Sequence, residues 1–147
     1  MPDSASNSAE RSSTCVAQRA VLPIRTQEDI VRVRQATREH AIAHGFSLVD
    51  QTKLVTAASE LARNTLDYGN GGEVEIARLI DGARKGLRLT FSDQGPGIED
   101  LQKALTDGYS TGGGLGLGLS GARRLSNDFN IDSAPGKGTR VMIARWR

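Results

Sequence analysis

Apolar residues recur along this chain at two different spacings, and the alternation between them outlines its elements. Between positions 16 and 24 they follow a strand-like period, and Pro23 fits an edge strand or a strand end because it cannot donate to a ladder. Thr26 then has the character of a helix N-cap, with Glu28 and Asp29 in the first turn and Ile30, Val33, Thr37 and Ala41 along one face until Gly45. A second helix opens at Ser47 and Asp50, keeps Leu48, Thr52, Val55, Ala58, Leu61 and Leu66 near a 3.6-residue period, and ends at the glycine cluster 69–72. Strands over 73–80 and 86–92, joined through Asp81-Gly82-Ala83-Arg84, read as an antiparallel hairpin. A short helix over 98–106, an amphipathic helix over 115–129, and a closing hairpin of strands 130–133 and 139–146 complete the pattern.

This order of strands and helices predicts an α+β fold, a two-layer sandwich with helices on one face of a mixed, largely antiparallel sheet. At 147 residues the chain has the size of one domain. Residues 1–14 carry few apolar side chains and are expected to form a flexible tail, leaving 15–147 as the folded domain. Nineteen Lys and Arg against seventeen Asp and Glu give a formal charge of +2, and aromatics make up only 4%. Attraction to nucleic acid or to an anionic membrane is therefore weak, and stacking on bases is poorly provided for. There is no apolar run of membrane-spanning length and no secretory leader pattern, so the expected location is cytoplasmic. Cys15 is the only cysteine, which excludes an internal disulfide and a thiolate metal cluster.

Three segments carry candidate chemistry. Glu60 and Asn64, four positions apart on the second helix, project from one face. An amide oxygen suits Mg²⁺ and a carboxylate suits a general base, although a plain polar helix face has the same pattern. At the end of a strand, Asp93-Gln-Gly95-Pro-Gly97 offers a carboxylate that can accept from an exocyclic amine such as adenine's, with glycines allowing close backbone approach; a simple turn is the alternative. The run Gly112, Gly113, Gly114, Leu115, Gly116, Leu117, Gly118 precedes and enters a helix, where free amides favour phosphate. Its leucines argue against a solvated linker. Gly116, Gly118 and Gly121 also match a dinucleotide fingerprint, but no strand precedes them, and Gly136-Lys-Gly-Thr139 lacks the spacing of a P-loop. His40 and His44 share a helix face at metal-ligand spacing without a third ligand, and are expected to be surface histidines.

Glu60-x-x-x-Asn64, Asp93-x-Gly95-x-Gly97, the run from Gly112 to Gly118, and Gly138-Thr139, in this order, resemble the N, G1, G2 and G3 boxes of the GHKL superfamily of gyrase, heat-shock chaperone, histidine kinase and mismatch-repair ATPases. Within that superfamily the wording around 59–64, 93–98 and 107–119 is similar to stressosome switch kinases of the RsbT type. Anti-sigma kinases usually carry His four positions after the Asn, where this chain has Tyr68.

The resemblance implies a Bergerat-type fold and a serine/threonine kinase using ATP and Mg²⁺. Asn64 would hold Mg²⁺, and Glu60 would orient or deprotonate the acceptor hydroxyl. Asp93 would bind the adenine amine, with Gly95, Gly97 and Ile98 shaping its pocket and Thr139 supporting Asp93 through water. Gly108 to Gly118, Leu115 and Leu117 included, would form the lid over the phosphates. Its partners would be STAS-domain antagonist and scaffold proteins and a downstream phosphatase or cyclase. The alternative is an ATP-dependent anti-sigma factor, or a nucleotide-sensitive regulator whose output is binding rather than catalysis.

Overall fold

The computed structural model describes residues 14–100, 105 and 119–147. Strand β1 (Thr14–Ile24) leads into helices α1 (Gln27–Ala43) and α2 (Leu48–Asp67). The hairpin of β2 (Gly72–Asp81) and β3 (Arg84–Asp93) follows, then the short helix α3 (Leu119–Arg124) and a second hairpin, β4 (Asp128–Ser133) and β5 (Thr139–Trp146). The five strands form one sheet in the order β1-β2-β3-β5-β4, and every pairing among the described residues is antiparallel. Thr14, expected in the tail, already pairs with Asp81, and the exposed thiol of Cys15 sits in the edge strand opposite Ile80.

Alternation in the strands sends Val74, Ile76, Leu87, Leu89, Phe91, Val141 and Ile143 to one face, where they meet Leu54, Ala58, Leu61 and Ala62 of α2 and Ile30, Val33 and Ala41 of α1. The other face is polar: Arg19 and Arg88 both approach Glu75, at 3.4 and 3.7 Å. α1 starts on a capping box, in which Thr26 Oγ1 accepts from the Asp29 N–H and the Asp29 carboxylate accepts from the Thr26 N–H. That carboxylate is held below its usual range, chiefly by the Arg25 N–H, which together with Thr26 and Arg32 outweighs the opposing effect of burial.

Four expectations need correction. Leu48 and Thr52 face solvent, and Leu54, Ala57 and Ala62 join the buried stripe of α2, because its first turn is tied to β5 by the ion pair of Asp50 with Arg145 at 3.1 Å rather than by apolar burial. The helix expected over 115–129 spans only Leu119–Arg124 among the described residues. Beyond it Ser126 Oγ donates to the Ala122 carbonyl, the Asn127 N–H donates to Ala144, and Phe129 belongs to β4, where it faces Ile143. Residues 98–100 are not helical, and most of the helix expected over 98–106 lies outside the described residues. His44 is buried rather than exposed, with Nε2 2.9 Å from the Leu79 carbonyl, so this nitrogen carries the proton. His40 Nδ1 accepts from Arg78 at 2.9 Å, and burial followed by the Arg78 charge lowers its pKa.

Candidate nucleotide-binding site

A cleft opens where the C-terminal half of α2, the end of β3 and the start of β5 converge. Leu61, Phe91, Leu119 and Val141 give it an apolar floor; Asn64, Thr65, Tyr68, Asp93 and Thr139 bring polar groups, and Ile98 closes one side. The cleft thus gathers Asn64, Asp93, Ile98 and Thr139 from four separate segments of the sequence. Glu60 lies one helical turn before Asn64, half-buried, and does not line this cleft. Gly112, Gly113, Gly114, Leu115, Gly116, Leu117 and Gly118 lie outside the described residues.

Asp93 ends β3 with its carboxylate turned back over the following loop, where Oδ1 accepts from the Gly95 N–H at 2.9 Å. Burial pushes its pKa up, and the amides of Gly95 and Thr139 only partly offset this. A side chain at Gly69 would run into the Asp93 carboxylate, so the turn after α2 is built to let that carboxylate in. Gly97, at φ 79°, has no room for a Cβ against the Ala134 carbonyl, and a Cβ on Gly95 would come within 2.7 Å of the Gly69 Cα. The two glycines are therefore required by close packing of three loops.

Asn64 presents a different anomaly. Its Nδ2 is buried with no hydrogen-bond partner among the described residues. A half-turn of the amide exchanges oxygen and nitrogen, so either atom can take that orphaned position. An unpaired buried polar group costs about 1–3 kcal/mol, and such groups concentrate where a ligand completes them. An amide oxygen here has the hard-donor chemistry that Mg²⁺ accepts, with phosphate oxygens supplying its other ligands. Among the described residues no cluster of three His, Cys, Asp or Glu side chains offers a competing metal site.

Sequence reasoning missed the residues that hold this loop in place. Tyr68 Oη, at the C-cap of α2, donates to the Gly97 carbonyl at 2.9 Å. Ser133 Oγ accepts from the Ile98 N–H at 2.8 Å, and the Gly136 N–H donates to the Pro96 carbonyl at 2.7 Å. Only the placing of a tyrosine four positions after Asn64 hinted at any of this.

An antiparallel sheet covered by helices on one face thus brings a strand-end carboxylate and a helix amide together over an apolar floor. The chain belongs to the histidine kinase-, DNA gyrase B-, and HSP90-like ATPase family, whose profile matches residues 49–147. It is 46% identical over 123 residues to the serine/threonine-protein kinase RsbT of Bacillus subtilis, a match spanning 84% of this chain and 92% of that protein. It is also 27% identical over 124 residues to an anti-sigma F factor of Clostridium acetobutylicum, spanning 80% of this chain and 84% of the relative. Among solved structures, the RsbU and RsbW domains of a Mycobacterium tuberculosis protein share the fold at a TM-score of 0.63 and 21% identity, over 89% of this chain and 33% of that longer one. Among the described residues no helix is long and apolar enough to cross a membrane.

Proposed function

We propose that this chain is a serine/threonine protein kinase that transfers the γ-phosphoryl group of ATP to a hydroxyl of a STAS-domain regulatory protein, and that its release from such partners activates a downstream phosphatase or cyclase. The observation that carries the reading is the convergence of an orphaned amide at Asn64 and a half-buried carboxylate at Asp93 on one cleft. The likeness to RsbT, a serine/threonine-protein kinase by name, points to the acceptor class.

Asp93 accepts the exocyclic amine of adenine, and its raised pKa marks a carboxylate drawn out of water and ready for a donor. Leu61, Phe91, Ile98 and Val141 cover the ring and exclude water, while Gly95 and Gly97 let the backbone close around it. Asn64 and phosphate oxygens would hold Mg²⁺, which when bound would neutralise charge on the transferring group. Glu60, one turn back along α2 and outside the base pocket, takes the acceptor's hydroxyl proton as the new O–P bond forms and ADP leaves.

Incubation with Mg-ATP and cognate STAS proteins should give phosphoserine or phosphothreonine. Glu60→Ala and Asn64→Ala should each lower the rate by at least about a hundredfold, the scale of a lost general base or charge clamp. Undiminished transfer in Glu60→Ala, or none from the wild type onto any genuine partner, would remove the kinase reading. The anti-sigma F factor relative favours a second reading, in which nucleotide-dependent capture of a partner is the main output. A pull-down in which Glu60→Ala still captures and activates the effector would support it.

A further inference from the structure

The start of β5 is organised by a single hydroxyl. Ser133 Oγ lies 2.8 Å from the Ile98 nitrogen, 2.9 Å from the Gly138 carbonyl oxygen and 2.8 Å from Thr139 Oγ1. A serine hydroxyl has one proton, an amide N–H can only donate and a carbonyl can only accept. Ser133 therefore accepts from Ile98 and gives its own proton to Gly138. The remaining contact then forms only if the Thr139 hydroxyl is the donor, so Thr139 enters the cleft with lone pairs and no proton to offer.

This polarity matters because Thr139 stands beside Asp93 in the lining of the cleft. The two are directly paired across β3 and β5, and the Thr139 backbone N–H helps hold the carboxylate charged. We propose that Ser133 is a positioning and specificity-determining residue: by fixing the Thr139 hydroxyl as an acceptor and pinning Ile98, it makes the paired side chains of Thr139 and Asp93 both hydrogen-bond acceptors at the base end of the cleft. Such an end takes a base edge that carries a donor, directly or through a water, and repels one that carries a carbonyl oxygen. It extends the reading of the cleft as an adenine site and rests on it. Removing Ser133 does not free the loop, since the Gly136 N–H still holds Pro96 and Tyr68 still holds Gly97. It frees the rotation of the Thr139 hydroxyl, which can then donate.

Equilibrium binding of ATP and GTP to the full chain tests this, with melting temperature followed in parallel. In Ser133→Ala the Kd for ATP should rise about tenfold, the size of one well-placed hydrogen-bond network lost. The preference for ATP over GTP should fall with it, and Ser133→Thr should restore both. ATP binding by Ser133→Ala with an unchanged ATP-to-GTP ratio, even at a lowered melting temperature, would overturn the inference while leaving the adenine reading intact. A wild type that binds neither nucleotide would overturn both. Should Ser133→Ala fail to fold, Thr139→Val, which keeps the volume and removes the hydroxyl, should show the same loss of discrimination and Thr139→Ser should not; equal discrimination in Thr139→Val would refute it.

Discussion

Asp93 is where burial and ligand chemistry pull in opposite directions. Its pKa in the folded chain lies above the ordinary 3.8, chiefly because burial penalises the charge. The folded state therefore binds a proton more tightly than the unfolded chain, and Asp93's contribution to stability is present below 3.8 and lost as pH rises through the folded value. Asp29 has the reverse sign, since its lowered pKa gives stability that is lost as pH falls below 3.8. With Asp93 as the proposed acceptor of the adenine amine, nucleotide binding should depend on its charged form, because a protonated carboxyl gives up acceptor capacity and gains a donor facing that amine. Acidification through the raised pKa should thus weaken ATP binding while it relieves the strain of burying Asp93. Calorimetric titration of ATP across that window, with Asp93→Asn alongside, separates the two. The variant should bind ATP at least tenfold more weakly at neutral pH, as expected for an acceptor replaced or left unpaired, and its residual affinity should lose the pH dependence. A wild-type affinity that stays flat with pH would show that the carboxylate does not touch the base.

At the scale of elements, what could be read from the sequence depended on how local the deciding interactions are. The start of α1 was legible because Thr26 and Asp29 cap one another three residues apart, and the β2–β3 hairpin because Gly82, at φ 63°, sits in a two-residue connection. Thr26→Ala should cost about 1 kcal/mol, the typical worth of such a cap, seen as a lower urea midpoint at unchanged slope. Because α1 does not line the cleft, ATP affinity should be unaltered; a matching loss of affinity would mean that α1 and the site are coupled. The end of α3 was not legible. Leu125 and Phe129 continue a helical period, yet Phe129 serves a strand whose partner, Ile143, is remote in sequence. The same distinction divides the site. Asn64 and Asp93 declare themselves through motif chemistry, whereas Ser133 acquires its role only by reaching Ile98, thirty-five positions away, and Gly69 only by making room for Asp93.

For the whole molecule, the cleft joins one helix, one strand end and one hairpin that lie far apart in the sequence. α2 supplies Asn64 and Tyr68, β3 supplies Phe91 and Asp93, and the β4–β5 hairpin holds the intervening loop through Ser133 and Gly136. A ligand seated among them binds only the folded chain, because the unfolded chain does not bring these segments together. Stabilisation by such a ligand grows with the logarithm of its concentration and reaches about 2.7 kcal/mol at a hundred times Kd. A domain of this size gains roughly 3–6 °C per kcal/mol, so Mg-ATP at that concentration should raise the melting temperature by about 10 °C. Mg-GTP at equal concentration should raise it far less if, as proposed, Asp93 and Thr139 both present acceptors to its carbonyl oxygen. Asp93→Asn should lose most of the shift produced by ATP while still folding, because the carboxylate it removes is itself costly to bury. Equal shifts from both nucleotides would mean that the phosphates alone drive binding and that the meeting of Asp93 and Thr139 at the base end has no part in choosing the ligand.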